Sequence, residues 1–157
     1  NFFKKLQPLE GRGKFYKIKR YNTNFKLIDE SYNANPLSMK NAILNFSNLK
    51  KNNNKKYLLL GDMLELGKKS HIYHKKMSKI INNTDIDKLF VYGKNILETY
   101  KYTKRNKQGK ILRKKNDFDK IFSKLIKKND NLMIKGSNGT GLHRLSKLLI
   151  KGKNNVI

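Results

Sequence analysis

The chain has 157 residues, 37% of them hydrophobic and 31% charged, which suffices for one domain with a buried core. With no cysteine and three histidines, a disulfide framework and a thiolate or histidine-rich zinc centre are disfavoured, and we expect no metal ligands. No apolar run reaches the ~20 residues that span a bilayer. The first residues lack the layout of a signal peptide, so we expect a cytoplasmic protein.

The formal net charge of +26 raises the question of nucleic-acid binding. Nearly all basic residues are lysines spread along the chain, whereas proteins that read base edges rely on arginine. Lysine, asparagine, isoleucine, phenylalanine and tyrosine are enriched together, which is typical of an AT-rich genome. We therefore expect a solvated lysine surface and no specific nucleic-acid partner, with a basic nucleic-acid-binding module as an alternative.

The predicted elements begin after a linker at 1–14, whose glycines and proline disfavour regular structure and which we expect to be the tail of a preceding domain. Period-two alternation predicts strands at 15–20 and 25–29, joined by a turn at 22–24 into a hairpin. Helices and strands then alternate, with the order helix 38–49, strand 57–60, helix 70–81, strand 89–92, helix 96–102, strand 110–112, helix 117–127, strand 131–134 and helix 142–150. This order predicts a three-layer α/β domain with a mostly parallel sheet, ending before a tail at 153–157.

Two helix starts and one helix face can be predicted in more detail. Ser70 and Asp117 are expected to be N-caps, because their side chains can accept hydrogen bonds from free N–H groups of a first turn. In the helix at 70–81 the apolar spacing favours an inward face, which consists of Ile72, Met77, Ile80 and Ile81.

The segment from Leu27 to Met39 is the most informative part of the sequence. It begins as an apolar strand, turns acidic and amide-rich, and enters a helix at Pro36, whose fixed φ suits a first helical turn. Ligands of open α/β sheets bind outside the carboxyl ends of the strands. Carboxylates suit ribose hydroxyls and amides can read a base edge, so the segment favours a nucleotide or polar-substrate loop. In the alternative interpretation its asparagines only cap and turn.

Three loops, at 29–36, 61–67 and 135–141, leave the carboxyl ends of strands and should lie along one edge. In the third loop, Lys135 and Ser137 could bind an anionic group. The loop matches neither G-x-x-x-x-G-K-[ST] nor G-x-G-x-x-G, so a turn that needs positive φ is the alternative.

Other polar residues near these loops are candidates with equally plain structural alternatives. Asp62 and Glu65 could hold a substrate amine or Mg²⁺, or could instead cap the loop and pair with lysines. His74 could be catalytic or structural, and Arg12 could clamp a phosphate or remain solvated. The sequence contains no evident nucleophile–base pair, so no catalytic residue is assigned.

Three motifs resemble the C-terminal domain of the Mur ligases in order and spacing. The motifs are Asp29-Glu30-Ser31-Tyr32-Asn33-Ala34-Asn35-Pro36-Leu37-Ser38-Met39, then Leu60-Gly61-Asp62-Met63-Leu64-Glu65-Leu66-Gly67 with His74 beyond it, then Lys135-Gly136-Ser137. The resemblance covers roughly residues 6–152. It implies a Rossmann-like, three-layer fold for 15–152 with an antiparallel hairpin at its start.

The resemblance also implies a part in an ATP-dependent amide ligase for peptidoglycan precursors. ATP would phosphorylate the carboxylate of UDP-MurNAc-tripeptide, and the amine of D-alanyl-D-alanine would attack the acyl phosphate. ATP and Mg²⁺ would be held mainly by a central P-loop domain, so the isolated domain should be inactive. The expected partners are this central domain, an N-terminal domain and the two substrates. A related ligase with another amino-acid substrate is the alternative.

Site residues follow from the resemblance motif by motif. The ATP side would comprise Arg12, Asp29, Glu30, Tyr32, Asn33 and Asn35. The dipeptide side would comprise Asp62, Glu65, His74, Lys135 and Ser137. Strand register would decide whether Asp29 or Glu30 binds the ribose hydroxyls. Asn138 stands where the family usually has arginine, which weakens an anion clamp at that position.

Overall fold

The computed structural model describes residues 10–152, so the predicted linker residues 1–9 and the predicted tail at 153–157 lie outside the described residues. The strands are β1 (Lys14–Arg20), β2 (Thr23–Glu30), β3 (Lys56–Gly61), β4 (Lys88–Tyr92), β5 (Gln108–Leu112) and β6 (Asn131–Lys135). The helices are α1 (Pro36–Ser47), α2 (Ser70–Asn82), α3 (Leu97–Tyr102), α4 (Asn116–Leu125) and α5 (Leu142–Lys151). Short 3₁₀ turns occur at Gly67–Lys69, Arg105–Lys107 and Asn138–Thr140.

The strands form one six-stranded sheet in the order β1-β2-β6-β3-β4-β5. The β1–β2 pair is antiparallel, and all other neighbouring pairs are parallel. The predicted α/β class, with a mostly parallel sheet and an antiparallel hairpin at its start, is therefore confirmed. Because β2, β6 and β3 are parallel neighbours, their carboxyl ends lie side by side.

Helices cover both faces of the sheet, as the continuous apolar run in β3 predicts. Leu58 and Leu60 pack on one face with α1 and α2, whereas Tyr57 and Leu59 pack on the other with α4 and α5. On that second face Phe118 and Phe122 stack with ring centroids 4.4 Å apart. The two cores make the three layers, and the period of two along each strand decides which core a side chain joins.

The hairpin turn differs from the prediction at 22–24. Tyr21 and Asn22 form it, with φ of 54° and 57°, and Thr23 already belongs to β2. Two consecutive residues with positive φ are characteristic of a type I′ turn, whose twist matches that of the paired strands. Tyrosine is not a usual residue in that conformation, so the sequence carried no signal for this position.

Both predicted N-caps are wrong. Ser70 is the first residue of α2, which continues directly from a 3₁₀ turn and has no side-chain cap. Asp117 lies inside the first turn of α4, where its Oδ2 accepts hydrogen bonds from the N–H groups of Arg113 and Lys114 at 2.8 and 3.0 Å. Its carboxylate therefore secures the segment before the helix. The helix itself ends at Leu125, before the predicted end at 127.

The predicted inward face of α2 is wrong at Ile72, which is 43% exposed. The buried residues of the helix are His74, Met77, Ser78 and Ile81. These positions follow three-and-four spacing, which places Ile72 on the opposite side of the helix from His74. The pattern was ambiguous because a histidine occupies a core position where an apolar residue is expected.

Candidate functional site

The loops at the carboxyl ends of β2, β3 and β6 are hydrogen-bonded to one another through Ser137. Its backbone N–H donates to the Asp62 carbonyl oxygen at 3.0 Å, and its Oγ accepts from the Leu64 N–H at 2.9 Å. The same hydroxyl donates to the Ala34 carbonyl oxygen at 3.2 Å. The prediction that the three loops share one edge of the sheet is therefore confirmed.

Two glycines permit this close approach. An ideal Cβ on Gly136 would lie 3.1 Å from the Cα of Gly61, and a Cβ on Gly61 would lie 2.7 Å from a methyl carbon of Leu142. Both contacts are shorter than ordinary van der Waals separations. A side chain on Gly136 would press on the backbone at the end of β3, whereas one on Gly61 would press on the Leu142 side chain at the start of α5, so the two glycines let the β3 end approach β6 and α5.

Lys135, at the end of β6, is a buried cation at this edge. It is 2% exposed, and its Nζ donates to the Asn33 carbonyl oxygen at 2.7 Å and lies 3.7 Å from Glu30 Oε2. Burial lowers the pKa of Lys135, and burial also raises the pKa of Glu30 although the ammonium opposes it. Charges withdrawn from water in this way cost free energy, and such groups cluster at functional sites.

Asp29 and Glu30 point to opposite faces of the sheet, as neighbours on a strand must. Asp29 is 1% exposed, and its Oδ1 accepts hydrogen bonds from both the N–H, at 3.1 Å, and the hydroxyl of Ser31. The Glu30 side chain remains 26% exposed beside Lys135. The register therefore makes Glu30 the more accessible carboxylate at the end of β2.

Residues 11–13 are held against the end of β2. The Tyr32 N–H donates to the Gly11 carbonyl oxygen at 3.1 Å, and the Gly13 N–H donates to the Asp29 carbonyl oxygen at 2.7 Å. Gly13 has a φ of 85°, and a Cβ there would lie 2.7 Å from Glu30 Oε1. These contacts place the exposed Arg12 guanidinium 4.9 Å from the centre of the Tyr32 ring, a cation–π arrangement.

The two asparagines of this segment have different surroundings. Asn35 is the N-cap of α1, since its Oδ1 accepts from the Ser38 N–H at 2.8 Å while Ser38 Oγ accepts from the Asn35 N–H at 3.1 Å. Pro36 occupies the first turn, as predicted. Asn33 is exposed, and within residues 10–152 only its carbonyl oxygen is engaged, by Lys135. Its amide therefore remains available to a ligand.

Asp62 and Glu65, both candidates in the loop after β3, are placed differently. Asp62 is 8% exposed, and its carboxylate oxygens accept from the N–H groups of Ile96 at 2.8 Å and Lys94 at 3.3 Å. It therefore ties the loop after β4 to the site. Glu65 is exposed and has a φ of 64°, so its carboxylate faces solvent at the tip of the loop.

His74 is completely buried and holds the loop after β3 through a hydrogen bond. Its Nε2 accepts from the Met63 N–H at 3.0 Å, and its Nδ1 lies 2.7 Å from the Ser70 carbonyl oxygen. The carbonyl requires a hydrogen on Nδ1, so the ring is the neutral tautomer with both nitrogens used. In the described domain His74 positions the loop and has no atom left for a ligand.

A pocket of about 270 Å³, here named the α5 pocket, lies between residues 10–11, the end of β2 and the start of α5. Its polar lining includes Glu10, Asp29, Tyr32, Asn138, His143 and Lys147. The sequence analysis missed His143 and Lys147. Their spacing of four residues on a helix that begins at the site edge is the signal that could have found them.

A wider and more open groove of about 640 Å³ flanks the same edge on the side of β4 and β5. It runs from Asp62 and Leu64 past Lys94 to Ile111 and Arg113. Leu64 and Ile111 are 37% and 40% exposed, so the groove combines apolar surface with two cations. The sequence analysis did not assign these cations either.

Within residues 10–152, no group of three or more histidine, cysteine, aspartate or glutamate side chains is arranged to hold a metal ion. The helices of the same range are all too short or too polar to cross a membrane.

Comparisons with known proteins agree with the fold and the motifs. A family model described as "Mur ligase, glutamate ligase domain" matches residues 13–138. The UDP-N-acetylmuramoyl-tripeptide–D-alanyl-D-alanine ligase of Bacillus subtilis is 33% identical over 152 residues, covering 94% of this chain and 33% of the relative. The ligase of the same name from Buchnera aphidicola is 34% identical over 126 residues, covering 80% of this chain and 27% of the relative.

Solved structures share the fold. MurF ligase from Thermotoga maritima, in complex with ADP, has a TM-score of 0.77 at 21% identity and covers 98% of this chain and 33% of that one. MurF from Acinetobacter baumannii has a TM-score of 0.71 at 24% identity, covering 94% and 31%. This chain thus spans about one third of the length of the relatives that it matches. Because the family match extends over residues 13–138, most of its length, the chain belongs to the Mur ligase family.

Proposed function

We propose that this chain is the C-terminal domain of an ATP-dependent ligase that joins D-alanyl-D-alanine to UDP-MurNAc-tripeptide in peptidoglycan precursor synthesis. Both curated relatives described above carry the name of this ligase. Since the chain spans about a third of them, the activity would belong to a longer protein. One of the two proposed substrates, UDP-MurNAc-tripeptide, is a nucleotide-linked intermediate, so we expect the reaction to take place in the cytoplasm.

In the proposed reaction, the γ-phosphoryl group of ATP passes to the tripeptide carboxylate and forms an acyl phosphate and ADP. The amine of D-alanyl-D-alanine then attacks the acyl carbon, and the tetrahedral intermediate expels phosphate as the amide forms. ATP and Mg²⁺ would be held mainly by a central domain, because the 157 residues contain no G-x-x-x-x-G-K-[ST] loop. The domain formed by the present chain would orient the substrates and exclude water when it closes over the site.

The nucleotide half of the proposed site lies at the end of β2. The accessible carboxylate of Glu30 suits the ribose hydroxyls better than the buried, hydrogen-bonded Asp29. The free amide of Asn33 and the ring of Tyr32 suit the base, and the exposed Arg12 suits a phosphate. Asn35 would act by starting α1 at the right point.

The dipeptide half of the proposed site lies toward the loop after β3. Glu65 is the candidate whose charged group is exposed there. Neighbouring backbone groups are hydrogen-bonded to the side chains of Asp62, His74 and Ser137, so we assign these residues to holding the loops in place. Lys135 would hold Asn33 and balance the charge of Glu30.

The observation that carries this proposal is the union of the three family motifs at one edge through Ser137. The test is phosphate release by the full-length ligase that contains this chain. We expect release only when ATP, UDP-MurNAc-tripeptide and D-alanyl-D-alanine are all present, and a preference for another amino acid would establish the related-ligase alternative.

Arg12→Ala should lower turnover with little change in thermal stability; equal losses of both would mean that Arg12 is structural.

The nucleic-acid alternative makes a separate prediction for the chain itself. A lysine-rich surface should bind two unrelated DNA duplexes equally, and the binding should weaken steeply with salt. A reproducible preference for one sequence at physiological salt would instead support a nucleic-acid-binding module.

A further inference from the structure

A groove of about 650 Å³, here named the α1–α2 groove, runs between α1 and α2, two of the helices that cover one face of the sheet. Its apolar lining includes Leu37 from α1 and Tyr73, Met77 and Ile80 from α2. The α2 residues follow three-and-four spacing, so they form one stripe along that helix. The groove contains none of the residues assigned to the proposed catalytic site, so it is a separate surface.

The groove leaves apolar side chains in contact with water. Leu37 is the most exposed large apolar side chain of residues 10–152, at 68%. Leu44 lies seven positions further, on the same side of α1, and is also exposed. A single exposed leucine is ordinary on a protein surface, whereas apolar side chains that gather in a concave groove are typical of an interaction site.

The charged side chains that border this groove are all cations. Lys40, Lys76 and Lys79, here named the groove lysines, line it and are exposed, and no aspartate or glutamate lines it. Among the ion pairs of the described residues, none involves a groove lysine. The Lys76 ammonium lies 5.5 Å from the centre of the Tyr73 ring, so positive charge adjoins the apolar lining directly.

The two helices contain nothing that would neutralise this charge. There is one lysine in α1 and there are three in α2, and neither helix has an aspartate or glutamate. Lys76 and Lys79 are three positions apart on one helix, where like charges repel each other. An acidic partner would relieve this repulsion while it covers the apolar lining, so the charges favour a ligand with carboxylates beside an apolar surface.

Charge and shape also restrict the kind of occupant. A second copy of this chain would bring the same excess of 37 basic over 11 acidic residues to the contact, so repulsion disfavours it. A bilayer is too broad to enter a groove between two helices. A third helix can lie in such a groove, with its apolar residues pointing inward and its polar residues along both sides.

We propose that the α1–α2 groove binds an acidic amphipathic helix of a partner protein. The apolar stripe of this helix would contact Leu37, Tyr73 and Ile80, and its carboxylates would lie beside the groove lysines. The inference does not depend on the ligase activity, because it concerns a surface outside the proposed catalytic site.

The test uses the full-length protein that contains this chain and a fluorescein-labelled synthetic peptide. The peptide has about 18 residues, because shorter isolated helices are marginal in water. Leucines at three-and-four spacing form its apolar stripe, glutamates flank the stripe, and alanines fill the remaining positions. We expect saturable binding by fluorescence anisotropy at physiological salt. A peptide of the same composition with dispersed leucines should bind about ten-fold more weakly or worse. No binding of the first peptide, or equal binding of both, would overturn the proposal.

One pair of substitutions tests the apolar contact. Leu37→Asp should weaken binding of the first peptide by about ten-fold or more, and an acidic residue suits a first helical turn, so the fold should be retained. Leu148→Asp is the matched control, because Leu148 is 60% exposed on α5, on the other face of the sheet. Thermal unfolding checks that both variants are folded. Equal affinities of the two folded variants would contradict the assignment of the groove.

A charge reversal tests the groove lysines. Lys76→Glu combined with Lys79→Glu should weaken binding by about ten-fold or more and should create binding of a peptide whose glutamates are replaced by lysines. Lys120→Glu combined with Lys124→Glu, two exposed lysines of α4, is the control and should leave both affinities unchanged. Equal effects of the two double substitutions would overturn the proposal. Binding to phosphatidylglycerol vesicles that Leu37→Asp abolishes would do so too, because it would assign the groove to a membrane.

Discussion

Single side chains at the sheet edge divide into those that hold the loops and those that remain free for a ligand. His74 and Asp62 belong to the first group, since backbone N–H groups occupy their polar atoms. Asn33 and Arg12 belong to the second group, since both are exposed. Substitutions in the first group should act mainly on stability, whereas those in the second should act mainly on catalysis.

The neighbouring asparagines give a matched pair for this distinction. Asn35→Ala removes the N-cap of α1 and should cost about 1 kcal/mol of unfolding free energy. Asn33→Ala removes an exposed amide, so it should leave unfolding unchanged but raise the KM for ATP in the full-length enzyme. Urea unfolding and initial-rate kinetics would measure the two effects. Normal kinetics in the Asn33 variant would reject its proposed role.

His74 offers a test of loop support within the core. His74→Leu leaves the Met63 N–H without its acceptor and should cost about 2 kcal/mol. His74→Gln retains a side-chain oxygen that can reach the same N–H, so it should lose less. Denaturant unfolding of both variants at neutral pH would compare them. Equal losses would show that the lost ring volume, and not the hydrogen bond, sets the cost.

At the scale of elements, the end of α1 is joined to the start of β3 by one buried lysine. Lys56 is completely buried, and its Nζ donates to the Ser47 carbonyl oxygen at 2.6 Å and to Asp85 Oδ2 at 2.9 Å. The Leu49 carbonyl oxygen accepts from the same ammonium. A cation is favoured at a helix C-terminus, where backbone carbonyls have no partner within the helix.

Lys56→Met should therefore destabilise the domain by about 2 kcal/mol, because two backbone carbonyls at the end of α1 lose their donor and the half-exposed Asp85 loses its partner. Lys55→Met is the natural control, since its side chain is 59% exposed and lies 3.7 Å from Asp87. That change should stay within about 0.5 kcal/mol. Thermal or urea unfolding of the two variants would decide; similar values would mean that the buried contacts contribute little.

The contact between Lys56 and Asp85 should also make the stability of the domain depend on pH. Although burial favours the neutral form of Asp85, hydrogen bonds from Lys56 and Ser47 outweigh it and hold its pKa below the ordinary value of 3.8. A carboxylate whose pKa is lower in the folded state stabilises that state at pH values above its unfolded-state pKa. This stabilisation is lost as the pH falls through the folded-state pKa. The stability difference between the natural chain and Asp85→Asn should thus be present near neutral pH and shrink below 3.8. A difference that stays constant with pH would contradict this.

For the whole molecule, the dominant electrostatic feature is the excess of 37 basic over 11 acidic residues. Repulsion among like charges destabilises a compact state, and salt screens it. Raising ionic strength from about 10 to about 150 mM shortens the screening length from ~30 to ~8 Å. We therefore expect the midpoint of thermal unfolding to rise by several degrees over this range. A flat or falling midpoint would show that local ion pairs outweigh the net repulsion.

Much of the architecture could be predicted because it depends on local patterns. The apolar run at 57–60 required cover on both faces, and Leu58 and Leu59 do enter different cores. The alternation of strands and helices implied a parallel sheet, and parallel neighbours bring their carboxyl ends to one edge. Errors arose at element ends, as at Ser70, where a preceding 3₁₀ turn replaced a side-chain cap.

The sequence by itself determined the fold class, the edge at which the loops meet and the family motifs, because these depend on periodicity and on residue type. Only the tertiary structure decided which polar atoms are still free there. It showed that His74 Nε2 accepts a hydrogen bond from the Met63 N–H, that Glu30 is more accessible than Asp29, and that His143 lines a pocket. The physical reason is that hydrogen-bond satisfaction depends on contacts between residues far apart in the chain, which no local pattern records.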